Sequence, residues 1–146
     1  MCGIFGECSN DLLNSDSFLE LLQLSRQRGP DHTGTYRIEQ EIQFGFNRLS
    51  IRDLSEHGHQ PAHSPNHKFT LVFNGEIYNC EALISKFNLN RTNFRSTSDT
   101  EVIAHLAEIL TADEMARELN GMYAIGLYEH STKKLSLLRG FAGIKP

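Results

Sequence analysis

Apolar residues along this chain gather in short runs separated by polar turns. Gly3 to Cys8 is apolar and carries no charge before Glu7, which predicts a buried strand. Ser17 and Glu20 then stand at capping-box spacing, and Phe18, Leu21, Leu22 and Leu24 supply an apolar helix side. Arg26 and Arg28 suit the last turn of that helix, and Gly29-Pro30 ends it. Thr33 to Ile38 and Gln43 to Ile51 alternate as two strands joined around Glu39-Gln40. Asp53 to Lys68, with Gly58, Pro61 and Pro65, reads as a long loop. Phe69 to Phe73 is a strong strand running into Asn74-Gly75.

Residues 76–84 hold helix formers and do not alternate like a return strand. Asn74-Gly75 is also a favoured hairpin turn, but this continuation predicts a strand that breaks there before a helix. Such a break exposes backbone N–H groups and lets a ligand come close at Gly75. Ser98 to Glu101 is another capping box, ahead of a stripe of Val102, Ile103, Leu106, Ile109 and Leu110. Thr111 and Glu114 cap a helix with Met115 and Leu119, closed by Gly121. Met122 to Tyr128 and Lys134 to Arg139 form a hairpin around His130-Ser131-Thr132. The order is strand, helix, two strands, long loop, strand, helices, two strands. This is an α+β pattern, with strands gathered into more than one sheet and helices outside.

The 146 residues fit one domain with its own core. A net charge of −4, with no basic stretch interleaved with aromatics, points away from nucleic acid and anionic membranes. No apolar run reaches membrane-spanning length. Cys2, Cys8 and Cys80 are an odd set and suggest reduced thiols and a cytoplasmic setting. His57, His59, His63 and His67 crowd the long loop, but no cysteine lies among them and no helical pair has ligand spacing. They are expected to be solvated loop residues, with no metal site.

Candidate chemistry centres on Cys2, directly after Met1. A methionine aminopeptidase removes Met1 when a small residue follows. Cys2 would then carry both a thiol and a free α-amine, with ordinary pKa values of about 8.5 and about 7.7–8.0. Nucleophile and proton carrier would come from one residue. The plainer alternative is an inert thiol at the start of a buried strand. Asp99, in the first turn of its helix, is accounted for by the helix dipole alone.

Several short motifs, in order along nearly the whole chain, resemble one family. They are Met1-Cys2-Gly3-Ile4-Phe5-Gly6, Arg28-Gly29-Pro30-Asp31, Asn47-Arg48-Leu49-Ser50-Ile51, Gly58-His59-Gln60-Pro61, Phe73-Asn74-Gly75-Glu76-Ile77-Tyr78-Asn79, Ser98-Asp99-Thr100-Glu101-Val102, Leu119-Asn120-Gly121-Met122-Tyr123-Ala124 and Gly143-Ile144-Lys145-Pro146. Together they resemble the class II glutamine amidotransferase domain, an N-terminal nucleophile hydrolase. The form of the Asn74 and Arg28 motifs is similar to the asparagine-synthetase branch.

The resemblance implies a four-layer αββα sandwich that hydrolyses L-glutamine to glutamate and ammonia. It implies Cys2 as nucleophile, and Asn74 (side-chain amide) with Gly75 (backbone N–H) as the oxyanion hole. Arg48 would meet the glutamine α-carboxylate, and Asp99 and Glu76 its α-ammonium. Backbone groups near Leu49 and Ile51 would line the same pocket. This half-reaction is expected to need no metal or organic cofactor. ATP and magnesium belong to the family's synthetase domain, whose Ser-Gly-Gly-x-Asp motif is not among these residues. The expected partner is therefore a synthetase domain or subunit, and this chain alone is not expected to make asparagine. The alternative is a catalytically silent glutamine-binding module.

Three features bear on that choice. Asn47 replaces a bulkier basic or histidine residue, with an expected small change in Arg48 orientation. Gly140-Phe141 stands where the family commonly has Asp-Arg, so a charge pair is expected to be missing there. Retention of Met1 would leave the α-amine one residue away and the protein inactive.

Overall fold

The computed structural model describes residues 2–51 and 53–145. The expectations that concern Met1 and Pro146 lie outside the described residues. In chain order the elements are β1 (Gly3–Cys8), α1 (Ser15–Gln23), β2 (His32–Ile38), β3 (Ile42–Arg48), β4 (Ala62–His63), β5 (Phe69–Ile77), α2 (Cys80–Lys86), α3 (Asp99–Leu106), α4 (Ala112–Glu118), β6 (Gly121–Glu129) and β7 (Lys134–Arg139). Short 3-10 turns cover 26–28, 56–58 and 91–93.

The strands form two antiparallel sheets, β1-β3-β2 and β4-β5-β6-β7. Both β1 and β3 touch β5, so one sheet lies on the other. Helix α1 covers β3 from outside, while α3 touches β4 and β5, α2 packs on α3, and α4 lies beside β7. The layers are thus helix, sheet, sheet, helices, as the resemblance implies.

Alternation along the central strands makes these layers. On β5, Leu71, Phe73 and Ile77 face the helices and pack with Leu83, Ile103, Leu106 and Met115. Val72 turns the other way and meets Phe44, Ile42 and Tyr128 between the sheets. Both faces of β5 are therefore buried. All seven residues of β3 are buried too, for the same reason. Each fully buried aliphatic side chain contributes about 1.5–3 kcal/mol.

Several local expectations are corrected. Helix α1 is capped by Asn14, whose side chain accepts from the Ser17 N–H at 2.9 Å; the cap is the polar residue three before Ser17, not Ser17 itself. Ser98 is the N-cap of α3 but makes no side-chain cap bond. Its hydroxyl pairs with Ser96, and Glu101 accepts from the Arg95 N–H. Helix α3 stops at Leu106 and Ile109 is exposed, while Leu110 still packs on the core. The Thr111–Glu114 capping box forms as the spacing predicts.

Strand β3 ends at Arg48 rather than Ile51, because the next residues are turned aside by Asp31. The Asp31 N–H donates to the Arg48 carbonyl at 3.0 Å, and its carboxylate accepts from the Ser50 N–H at 2.6 Å. Strand β5 does not break at Asn74-Gly75 but continues to Ile77, and α2 starts only at Cys80. A Cβ on Gly75 would come within 2.2 Å of the Met122 carbonyl oxygen. Glycine is demanded there by close contact with β6, rather than by a turn.

Asn47 does not reach Arg48. It faces α1, fully buried, donating to the Leu22 carbonyl at 2.7 Å and accepting from the Thr33 hydroxyl at 2.8 Å. Adjacent residues on a strand point to opposite faces, so this change fastens α1 instead of steering the arginine. Phe141 is fully exposed, and the Gly140 N–H donates to the Tyr123 carbonyl at 2.9 Å.

Of the loop histidines, His57 and His67 are exposed as expected, whereas His59 and His63 are half-buried. His59 stacks on His32 with ring centroids 3.6 Å apart. His63 belongs to β4, meets the Thr70 hydroxyl at 3.0 Å and lies edge-on to Tyr36. Burial pushes His32 below its ordinary range, and the neighbouring His59 and Arg48 charges push the same way. Burial, then His67 and His130, lower His63 likewise.

A depressed histidine pKa favours the folded state when the ring is neutral. This contribution is full above the ordinary value of about 6.5 and declines as pH falls below it toward the folded values. The urea midpoint is therefore expected to be lower at about pH 5.5 than at about pH 7.5, before the carboxylates titrate. Equal midpoints at both pH values would count against these two shifts.

Candidate active site

The first strand begins beside the end of β3, where Gly3 pairs with Asn47. Cys2 therefore lies next to the chain leaving Arg48. Its half-buried thiol accepts from the Leu49 N–H at 3.3 Å and sits 3.7 Å from the Leu49 carbonyl oxygen. Among the described residues, Cys2, Cys8 and Cys80 form no disulfide.

Arg48 is the last residue of β3 and faces the gap between the sheets. It is buried, and its guanidinium donates to the backbone carbonyls of Ser55, at 2.7 Å, and Asp53. The long loop thus wraps the arginine and fixes its fork. Gly58 completes the wrap: a Cβ there would sit 2.2 Å from an Arg48 Nη. The Asp53 carboxylate accepts from the hydroxyls of Ser55 and Ser96 and from the Thr97 N–H. Hydrogen bonds from Ser55 and Ser96 hold it well below the usual carboxylate range. It ties the loop to the approach to α3.

Asn74 is buried on β5. The backbone on either side of it is organised by side chains. The Phe73 N–H donates to the Gln60 side-chain oxygen at 2.6 Å, and the Ile77 N–H to the Asp99 carboxylate at 2.9 Å. N–H groups two apart on a strand point the same way. The Gly75 N–H, midway between these two, is directed to the same edge of β5. Asp99 itself is buried and opens α3, and the Cys80 thiol reaches its other oxygen at 3.6 Å.

These parts enclose one cavity of about 220 Å³. Cys2, Arg48, Leu49, Ile51, Asn74, Gly75, Glu76 and Asp99 all line it. The segments that carry them are far apart in sequence, and the two sheets and α3 bring them together. Sequence reasoning did not single out Asp53, Gln60, Thr100 and Lys145, which also line it. Gln60 and Lys145 stood inside recognised motifs, whereas Asp53 lay in a segment read as plain loop. Lys145 is buried despite its charge. The polar wall carries cations from Arg48 and Lys145 and carboxylates from Asp53, Glu76 and Asp99, which suits a ligand bearing both charges. Among the described residues, no group of three or more histidine, cysteine or acidic side chains could hold a metal ion. No helix of the described residues is long and apolar enough to cross a membrane.

A glutamine amidotransferase domain model matches residues 1–146. The chain is 34% identical to asparagine synthetase [glutamine-hydrolyzing] 2 of Bacillus subtilis (strain 168), 36% to asparagine synthetase B of Escherichia coli (strain K12) and 36% to asparagine synthetase 3 of Arabidopsis thaliana. Each match covers 100% of this chain but only 20%, 26% and 25% of the respective relative. The chain thus spans about a quarter or less of these relatives' length. A family model matched along the whole of this chain and a layered fold that gathers the expected residues around one cavity lead to one assignment: the chain belongs to the glutamine amidotransferase domain family, in the branch found in glutamine-hydrolysing asparagine synthetases.

Proposed function

We propose that this chain hydrolyses the side-chain amide of L-glutamine through a covalent intermediate on Cys2. The convergence of Cys2, Asn74, Gly75, Arg48 and Asp99 on one cavity is the observation that carries the reading. With Met1 removed, the Cys2 thiol passes its proton to the adjacent α-amine and attacks the amide carbon. The Asn74 amide and the Gly75 N–H stabilise the oxyanion. The α-ammonium returns a proton to the departing nitrogen, ammonia leaves, and a γ-glutamyl thioester remains. Water then adds to the thioester, the carbon–sulfur bond breaks, and glutamate and the thiol are regenerated.

Arg48, already oriented by the Asp53 and Ser55 carbonyls, takes the α-carboxylate by charge-assisted bonds. Asp99, with Glu76, takes the α-ammonium, while Leu49 and Ile51 close the pocket wall. Recognition at both charged groups selects the free amino acid over a peptide-bound glutamine. The scheme requires only thiol, amine and water, without a metal or organic cofactor. The ammonia is supplied to an asparagine-synthetase-like domain or subunit, in which ATP and magnesium would act.

The test joins intact mass to a glutamate assay. A preparation whose mass shows Met1 removed should convert L-glutamine to equimolar glutamate and ammonia. A correctly processed, folded chain that binds glutamine without forming glutamate would instead establish a silent binding module.

A further inference from the structure

Gln60 is buried at 6% exposure, and its amide is fully engaged by three partners. Its nitrogen donates to the Phe73 carbonyl at 3.0 Å and to the Thr100 hydroxyl at 3.2 Å, and its oxygen accepts from the Phe73 N–H at 2.6 Å. The amide therefore pairs with Phe73 as a neighbouring strand would. Strand β4 pairs Ala62 with Leu71, so the same register would place Gln60 opposite Phe73. At this position the side chain, rather than the main chain, completes the ladder.

The partners lie at sensitive places. Phe73 immediately precedes Asn74-Gly75, and Thr100 immediately follows Asp99. Gln60 itself follows the loop whose carbonyls hold Arg48. One amide thus joins the strand of the oxyanion hole, the helix start that carries Asp99, and the loop around Arg48.

We propose that Gln60 is a positioning residue for glutamine hydrolysis, holding β5 and the start of α3 so that Gly75 and Asp99 address one substrate together. This rests on the glutaminase reading above. Loss of the clamp leaves β5 and the start of α3 tied with one anchor fewer, through the Ile77 N–H and the Asp99 carboxylate, so that they can shift slightly against one another. A displacement of about 1 Å at reacting groups can lower a rate by about 10²-fold.

The test uses Gln60→Met, which keeps volume and removes all three bonds, in the chain with Cys2 exposed. We expect kcat for glutamate release to fall about 10- to 100-fold and KM for glutamine to rise. Alkylation of Cys2 by iodoacetamide, which needs no oxyanion hole, should proceed at the parental rate in the same folded variant. Thr100→Val should lose severalfold in kcat, and Thr100→Ser, which restores the hydroxyl, should recover it. Parental kcat and KM in folded Gln60→Met overturn the proposal. So does a kcat loss matched by an equal loss of alkylation, because the defect would then be general. If Gln60→Met does not fold, parental kcat in Thr100→Val overturns it. A processed parent chain that releases no glutamate sinks the glutaminase reading itself, whereas an active parent with an unaffected variant sinks only the role of Gln60.

Discussion

Cys2→Ala abolishes release of glutamate and ammonia from L-glutamine, lowering turnover by roughly 10⁴-fold or more, while glutamine still binds. The expectation follows from what the side chain does and does not hold together. Among the described residues, its sulfur hydrogen-bonds to the Leu49 peptide, at 3.3 and 3.7 Å. Such sulfur bonds are weak, so truncation leaves the β1–β3 pairing and the Asp31 pin on Ser50 in place. Arg48 and Asp99 keep their own anchors in the loop and on β5. Calorimetry should therefore find glutamine binding in the variant, and a coupled glutamate assay should find no turnover. Glutamate formation at a rate near that of the parent would remove Cys2 from the reaction.

Asn74→Ala has the next largest effect and a different signature. Loss of one oxyanion donor lowers kcat by about 10²–10³-fold, or about 2.7–4 kcal/mol of transition-state stabilisation. KM changes little, because the ground-state amide oxygen needs this donor far less than the tetrahedral oxyanion does. Asn74 also lines a smaller cleft with Cys2, Gly3 and Ile4. Asn74→Asp keeps the shape but presents an acceptor and a negative charge to the developing oxyanion, and should be no better than alanine. Steady-state kinetics on the two variants separate the effects. An unchanged kcat in Asn74→Ala would exclude the side chain from oxyanion stabilisation.

Strands with strong local pattern were legible: β1 and β7 match their expected bounds, and β6 differs by one residue at each end. The misreadings share a cause, since each depends on what another part of the chain does. The end of β3 is set by Asp31, and β4 exists only because β5 offers it an edge. Asn74-Gly75 resembles a turn locally but continues as strand, since β6 supplies partners as far as Ile77. The residues around the cavity were accessible mainly through motif resemblance. Periodicity cannot mark a residue whose partner is far away, such as Asp53 bonded to Ser96, or Gln60 to Phe73. The stacking of His59 on His32 escaped for the same reason.

The burial of both faces of β5 divides the cavity into walls of unequal stiffness. The strand bearing Asn74 and Gly75 is a shared boundary of two cores, so a large shift of it would loosen both. The Arg48 wall is set instead by backbone carbonyls of a surface loop. The Arg48 fork and β5 are thus held by different kinds of support, joined through Gln60. Sequence change in the 53–59 loop therefore alters the setting of the Arg48 guanidinium before it disturbs the packing of β5.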